Sequence, residues 1–106
     1  SWEANIARYL NYLMEKGKVV HWEYESHRFE FEKIKRGTRS YLPDFCVILK
    51  SGNLEWWEVK GYWTQKAKTA VKRFHKYYPD EKLVIIDKEI YKQIEQEFSS
   101  LISEWE

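Results

Sequence analysis

Asp44, Glu58 and Lys60 stand in the stretch YLPDFCVILKSGNLEWWEVKG, residues 41 to 61, among apolar and aromatic neighbours. Burying an unpaired charge is expensive, so three ionisable groups in such a stretch imply either a surface pairing or a site. Residues two apart in a strand share a face, which turns Glu58 and Lys60 one way and Trp57 and Val59 the other. A hairpin partner strand brings Asp44 alongside them. Two carboxylates converging on one point suit a hard divalent cation such as Mg2+, with Mn2+ as a substitute, because these ions take oxygen ligands and keep several waters. Such an ion polarises a phosphoryl oxygen and makes water nucleophilic near neutral pH. A nearby ammonium orients that water or offsets charge building on phosphorus. Asp, Glu and Lys on adjacent strands are therefore the set that metal-assisted phosphodiester hydrolysis requires.

Glu-x-Lys spacing alone is a weak signal, since exposed strands often carry it as an ion pair of little energetic weight. The chain contains its own control. Pro79-Asp80-Glu81-Lys82 repeats the pattern at a helix-to-strand junction, where it reads as a turn. Only the first copy spans a hairpin with the acid and lysine inside a strand.

The elements that must position these groups follow from periodicity. Trp2, Ile6, Leu10 and Leu13 recur at helical spacing, predicting a helix over residues 2 to 16 that Ser1 caps and Gly17 ends. VVHWEYE (19 to 25) and RFEFEKI (28 to 34) alternate like strands, and KRGTRS (35 to 40) is a basic loop. SYLPDFCVILK and LEWWEVKG form a hairpin across SGN at 51 to 53. Thr64 caps a second helix with Ala67, Ala70, Val71, Phe74 and Tyr78 on its apolar stripe, ending at Pro79. KLVIID (82 to 87) reads as a strand buried on both faces. Asp87 caps a last helix whose stripe is Ile90, Ile94, Phe98 and Leu101. The order α-β-β-β-β-α-β-α predicts one α/β layered domain over residues 1 to 106, with a mixed sheet of about five strands flanked by helices.

Net charge is only +1, but its distribution is uneven. Residues 33 to 79 hold eleven basic and three acidic side chains, and those three acids are Asp44, Glu55 and Glu58. From Val59 to Pro79 there is no acid, while Lys66, Lys68, Lys72, Arg73 and Lys76 all fall on the second helix. A solvated helix face usually mixes signs, so a one-signed helix beside a carboxylate site points to phosphate contacts and to DNA as partner. The loop carrying Lys33, Lys35, Arg36 and Arg39 is a second candidate DNA surface, and Gln65 and Lys66 follow the motif closely enough to touch a bound strand. Trp56, Trp57 and Trp63 could stack on bases, though core packing is the commoner role. His21, His27 and His75 share no metal-ligand spacing.

Pro43-Asp44, then Glu58-Val59-Lys60 after a 13-residue gap, resembles the PD-(D/E)xK nuclease signature. The likeness extends to the Ser-x-Glu opening, a glycine after the first helix, Tyr-x-Pro-Asp-Phe, the hairpin glycine, Glu-x-Lys-Gly-x-Trp and a later proline. These are similar to the phage-type endonuclease I group of Holliday-junction-resolving enzymes, over residues 1 to 87. The resemblance implies a restriction-endonuclease-like three-layer core and a metal-dependent DNA endonuclease. It also implies that Glu3, at the matching place on the first helix, completes the acidic cluster, and that the Val59 carbonyl joins Asp44 and Glu58 as a metal ligand. An acid in the first turn also stabilises a helix through its dipole, which is the plainer role for Glu3. Such resolvases are intertwined dimers with a bridging segment, for which this chain has no evident counterpart.

Composition excludes other classes. No apolar run approaches the roughly 20 residues that span a bilayer, so a soluble intracellular protein with no membrane partner is expected. The chain opens on Ser1, not methionine, as a processed or trimmed chain does. Cys46 is the only cysteine and reads as a small buried residue, and no small-molecule cofactor is indicated. A homodimer is expected because cutting both strands needs two sites. The alternatives are a homing, restriction or transposase-type nuclease of the same superfamily, and a catalytically silent nucleic-acid-binding module. A pure binder, however, gains nothing from carboxylates near phosphate.

Overall fold

The computed structural model describes residues 1–106. Helix α1 (Trp2–Glu15) starts where the Ser1 side chain accepts from the Ala4 N–H at 3.2 Å, and it ends before Gly17, whose φ of 74° favours glycine. Strands β1 (Val19–Tyr24), β2 (Phe29–Glu30), β3 (Ser40–Tyr41), β4 (Phe45–Leu49) and β5 (Leu54–Val59) follow. Thr64 accepts from the Ala67 N–H and starts α2 (Gln65–Tyr77). Strand β6 (Lys82–Ile86) then leads to α3 (Lys88–Phe98), capped by Asp87, and to a short 3-10 turn at Ser99–Leu101.

The main sheet has four strands in the order β1-β4-β5-β6, and β2 and β3 pair separately as a small ribbon. Neighbours β1-β4 and β4-β5 are antiparallel and β5-β6 is parallel, so the sheet is mixed. Alternate residues feed two cores. Phe45, Val47 and Trp57 join Ile6, Leu10 and Tyr91 beneath α1 and α3. Cys46 and Trp56 join Phe29, Phe31, Tyr41, Ala70 and Phe74 beneath α2 and the ribbon. The result is three layers, helices on both faces of the sheet.

Four departures from the sequence-based expectation have physical reasons. The sheet has four strands and not five, because the segment 28 to 34 pairs only briefly. Beyond the Phe31 N–H bond to the Arg39 carbonyl the chain turns, with the Ile34 N–H bonded back to the Phe31 carbonyl. The segment 41 to 50 is not one strand either. Pro43 has no N–H to give to a ladder, so β3 stops before it and β4 starts after Asp44. Strand β6 lies at the sheet edge, and only Ile86 in it is fully buried. On α3 the inward face centres on Tyr91, leaving Ile90 and Leu101 exposed. Tyr91 takes that place because its ring stacks on Trp2 at 4.1 Å and its hydroxyl receives the Asn5 amide at 2.7 Å.

No helix is long and apolar enough to cross a membrane. Cys46 is buried, as expected, and Trp105 folds back to donate its indole N–H to Glu95 at 3.2 Å.

Candidate active site at the open end of the hairpin

The β4-β5 register pairs Phe45 with Trp57, so one residue further out Asp44 faces Glu58 across the hairpin. There the ladder changes character. Opposite Pro43 the Val59 N–H donates to Asp44 Oδ2 at 2.8 Å and not to a main-chain carbonyl, and Pro43, having no N–H, offers no donor to the Val59 carbonyl. A side-chain carboxylate thus replaces a backbone acceptor and is held rigidly by a central strand. The N–H and C=O of one strand residue point to the same edge, so the Val59 carbonyl faces the Asp44 side.

Glu58 points to the α2 face with Trp56 and is only 5 % exposed. Its two oxygens are met separately. Oε1 accepts from the Tyr41 hydroxyl at 2.7 Å, and Oε2 lies 3.3 Å from Lys60 Nζ. Burial, then the Glu58 charge, pushes the Tyr41 hydroxyl far above its ordinary range, so it stays a donor. Glu3 reaches in from the first turn of α1, its Oε1 accepting from the Tyr24 hydroxyl at 3.1 Å, and its carboxyl comes within hydrogen-bonding reach of Asp44. The first turn is seated by Trp2, whose ring stacks on Tyr91 and lies beside Gly61.

Asp44 carries the electrostatic strain. Burial first, then the Glu58 charge, raises it from 3.8 to about 8, with Glu3 adding and the Val59 N–H opposing. Asp44 has a single N–H to offset that cost. In the metal-free protein this costs stability as pH rises. The folded state holds the Asp44 proton up to about pH 8 while the unfolded chain releases it near 4, so stability falls between these values. Asp44 is only partly buried, so water screens the effect to about 1–2 kcal/mol. Urea melts in EDTA should show Asp44→Asn matching wild type below about pH 4 and exceeding it by that amount near pH 8. Parallel pH profiles for the two proteins would refute the assignment.

The donor set fits a divalent cation that retains waters. It offers the Asp44 and Glu58 carboxylates, a carbonyl on the same side and a like-charge repulsion that a cation relieves. It is not a closed cage, since no three His, Cys, Asp or Glu side chains gather as a ready metal cluster anywhere in the chain.

Two clefts flank Lys60. One of about 340 Å³ is lined by Glu3, Val59, Lys60 and Tyr62, and the other, of about 280 Å³, by Tyr41, Glu58, Lys60 and Lys66. A third groove of about 390 Å³ runs along α2 between Gln65, Lys68, Lys72, Arg73 and Lys76. The expected basic residues on α2 therefore form a surface beside the site, and none of them has an acidic partner in an ion pair. Arg73 differs from the rest: its Nη1 donates to the Thr38 carbonyl and staples the 33 to 40 loop to α2. Lys35, Arg36 and Arg39 are exposed on that loop and line none of these clefts. Trp56 and Trp57 are core residues, which removes them as stacking candidates.

Sequence reasoning assigned no role to Tyr41 or Tyr24, the two hydroxyls that hold Glu58 and Glu3. The signal was present for Tyr41, because a tyrosine at an apolar strand position needs a partner for its hydroxyl.

No curated protein and no solved structure matches the chain. Residues 2–93, which carry Glu3, Asp44, Glu58, Lys60 and the basic helix, match the family described as "Protein of unknown function (DUF1064)", and the chain belongs to that family.

Proposed function

We propose that this protein is a metal-dependent DNA endonuclease of the PD-(D/E)xK type, using Mg2+ with Mn2+ as a substitute. The observation that carries this reading is the hairpin end itself. Asp44 and Glu58 face each other across the hairpin, near enough for the Glu58 charge to raise Asp44, with Lys60 Nζ 3.3 Å from Glu58. Burying like charges in this way costs stability, and a divalent cation would relieve that repulsion.

A divalent ion there supplies Lewis-acid activation of the phosphodiester and of the attacking water. The chain's own groups do the rest. The Val59 N–H and the Tyr41 hydroxyl fix the two carboxylates. Lys60, opening onto both clefts, orients water and offsets charge developing on phosphorus. Lys66, Lys68, Lys72 and Lys76 hold the phosphate backbone alongside, while Arg73 has a structural duty as well. Cutting both strands needs two such sites, so a homodimer belongs to this proposal, as does action on branched or junction DNA.

The test is cleavage of supercoiled plasmid, linear duplex, single-stranded and four-way-junction DNA with Mg2+, with Mn2+ and with EDTA. Cutting is expected with either metal and none in EDTA. Equal cutting in EDTA, or none on any substrate, overturns the proposal.

A further inference from the structure

The loop Gly61–Thr64 leaves the Lys60 strand and enters α2, and it carries two aromatic rings that the fold does not use. Tyr62 is 79 % exposed, and Trp63, at 37 %, is the exposed one of the six tryptophans. Neither packs against another ring, and neither the Tyr62 hydroxyl nor the Trp63 indole N–H has a partner within the chain, although nearly every other tryptophan is paired or buried. Exposing two large rings side by side serves no purpose in folding.

Their positions suggest a purpose. Tyr62 borders the cleft that contains Glu3, Val59 and Lys60. Trp63 borders a hollow of about 320 Å³ with Lys68, Val71 and Lys72. Each ring thus borders a hollow that also holds an ammonium group, Lys60 beside Tyr62 and Lys68 and Lys72 beside Trp63. This is the arrangement that grips unpaired nucleotides, in which cations follow the backbone and rings take the bases. A duplex keeps its bases stacked inside and leaves such rings unused. A protein partner would equally cover exposed rings, but the charges beside Trp63 are all cationic and unpaired, which favours a polyanion.

We propose that Tyr62 and Trp63 form a stacking platform for unpaired bases, so that the favoured substrate is DNA with single-stranded nucleotides next to the cleaved bond. The proposal rests on the nuclease reading for the word "cleaved", but the platform is testable without it. In EDTA, binding of labelled oligothymidylate and of a blunt duplex of equal length is followed by fluorescence anisotropy for the full chain.

Tyr62→Ala and Trp63→Ala should each weaken oligothymidylate binding about 5- to 100-fold and change duplex binding by less than about two-fold, whereas Tyr62→Phe should bind as wild type. Lys72→Ala should weaken both ligands and flatten the salt dependence. Equal losses on both ligands, or no loss on either, refute the platform, the first pointing to general folding or charge effects and the second to another partner for the rings. A wild-type protein that binds oligothymidylate through Tyr62 but cuts nothing with Mg2+ keeps the platform and removes the nuclease. One that cuts, with an unchanged ratio of single-stranded to duplex cleavage in both alanine variants, does the reverse.

Discussion

Glu58→Gln and Asp44→Asn should each slow single-turnover cleavage of DNA by at least about 10²- to 10³-fold, the scale at which loss of one charge-stabilising group registers. Both substitutions keep shape while removing charge. In the first, the amide oxygen that replaces the Glu58 carboxylate still accepts from the Tyr41 hydroxyl. In the second, the amide oxygen that replaces the Asp44 carboxylate still accepts from the Val59 N–H, so the hairpin end has no reason to rearrange. What is lost is a negative charge that, on the proposed reading, would hold a cation, and in Glu58→Gln also the ionic partner of Lys60. Binding of DNA in EDTA below about pH 8 should stay level in Asp44→Asn, where a proton already neutralises the carboxyl, and stay level or tighten in Glu58→Gln. Rates measured on plasmid with Mg2+, beside far-UV circular dichroism and melts, separate a chemical defect from unfolding. Wild-type rates in either variant would remove that carboxylate from the site. The same assay places Glu3: near-normal cutting by Glu3→Gln returns it to its helix-dipole role.

The largest effect on stability is expected from Phe74→Ala. Phe74 is 0 % exposed and lies at the junction of α2 with the ribbon. Its ring meets Phe29 at 4.8 Å, Tyr41 at 5.3 Å and Tyr78 at 5.9 Å. Truncation removes the apolar contact and leaves a cavity that three surrounding aromatic rings cannot easily fill. The cost should be about 3–5 kcal/mol, a large part of the roughly 5–15 kcal/mol that holds a domain of this size together. A fall in melting temperature of roughly 15–25 °C follows. Phe74 also backs Tyr41, and Tyr41 holds Glu58, so activity measured well below the new melting point should fall too. Denaturant titration gives the first quantity and single-turnover kinetics the second. A loss under about 1 kcal/mol would mean that the ribbon and α2 are not packed through this ring.

How much of the fold and site is legible in the sequence differs residue by residue. The helix caps Ser1, Thr64 and Asp87 are readable because a cap is a local event of three residues, and all three accept the expected N–H. The facing of Glu58 and Lys60 away from Trp57 is readable because strand alternation has a fixed period of two. Asp44 opposite Glu58 follows from the hairpin register. The two tyrosine partners are not readable, since Tyr41 sits 17 residues from Glu58 and Tyr24 sits 21 from Glu3, and only tertiary packing joins them. The face of α3 escapes for a similar reason. Spacing allows two stripes one residue apart, and the choice is made by Trp2 and Asn5, on another helix. Arg73 counts as one more cation until the Thr38 carbonyl gives it a structural duty.

The hydrogen bond from the Val59 N–H to Asp44 also turns one backbone amide into an instrument. Most strand amides report only on the sheet, but this one ends on the carboxylate whose proton decides the state of the site. Its magnetic resonance frequency must therefore move with the Asp44 proton, and on the proposed metal dependence it should move again when Mg2+ is added. Val59 is a built-in spectroscopic probe of the Asp44 carboxyl that needs no substrate and no turnover.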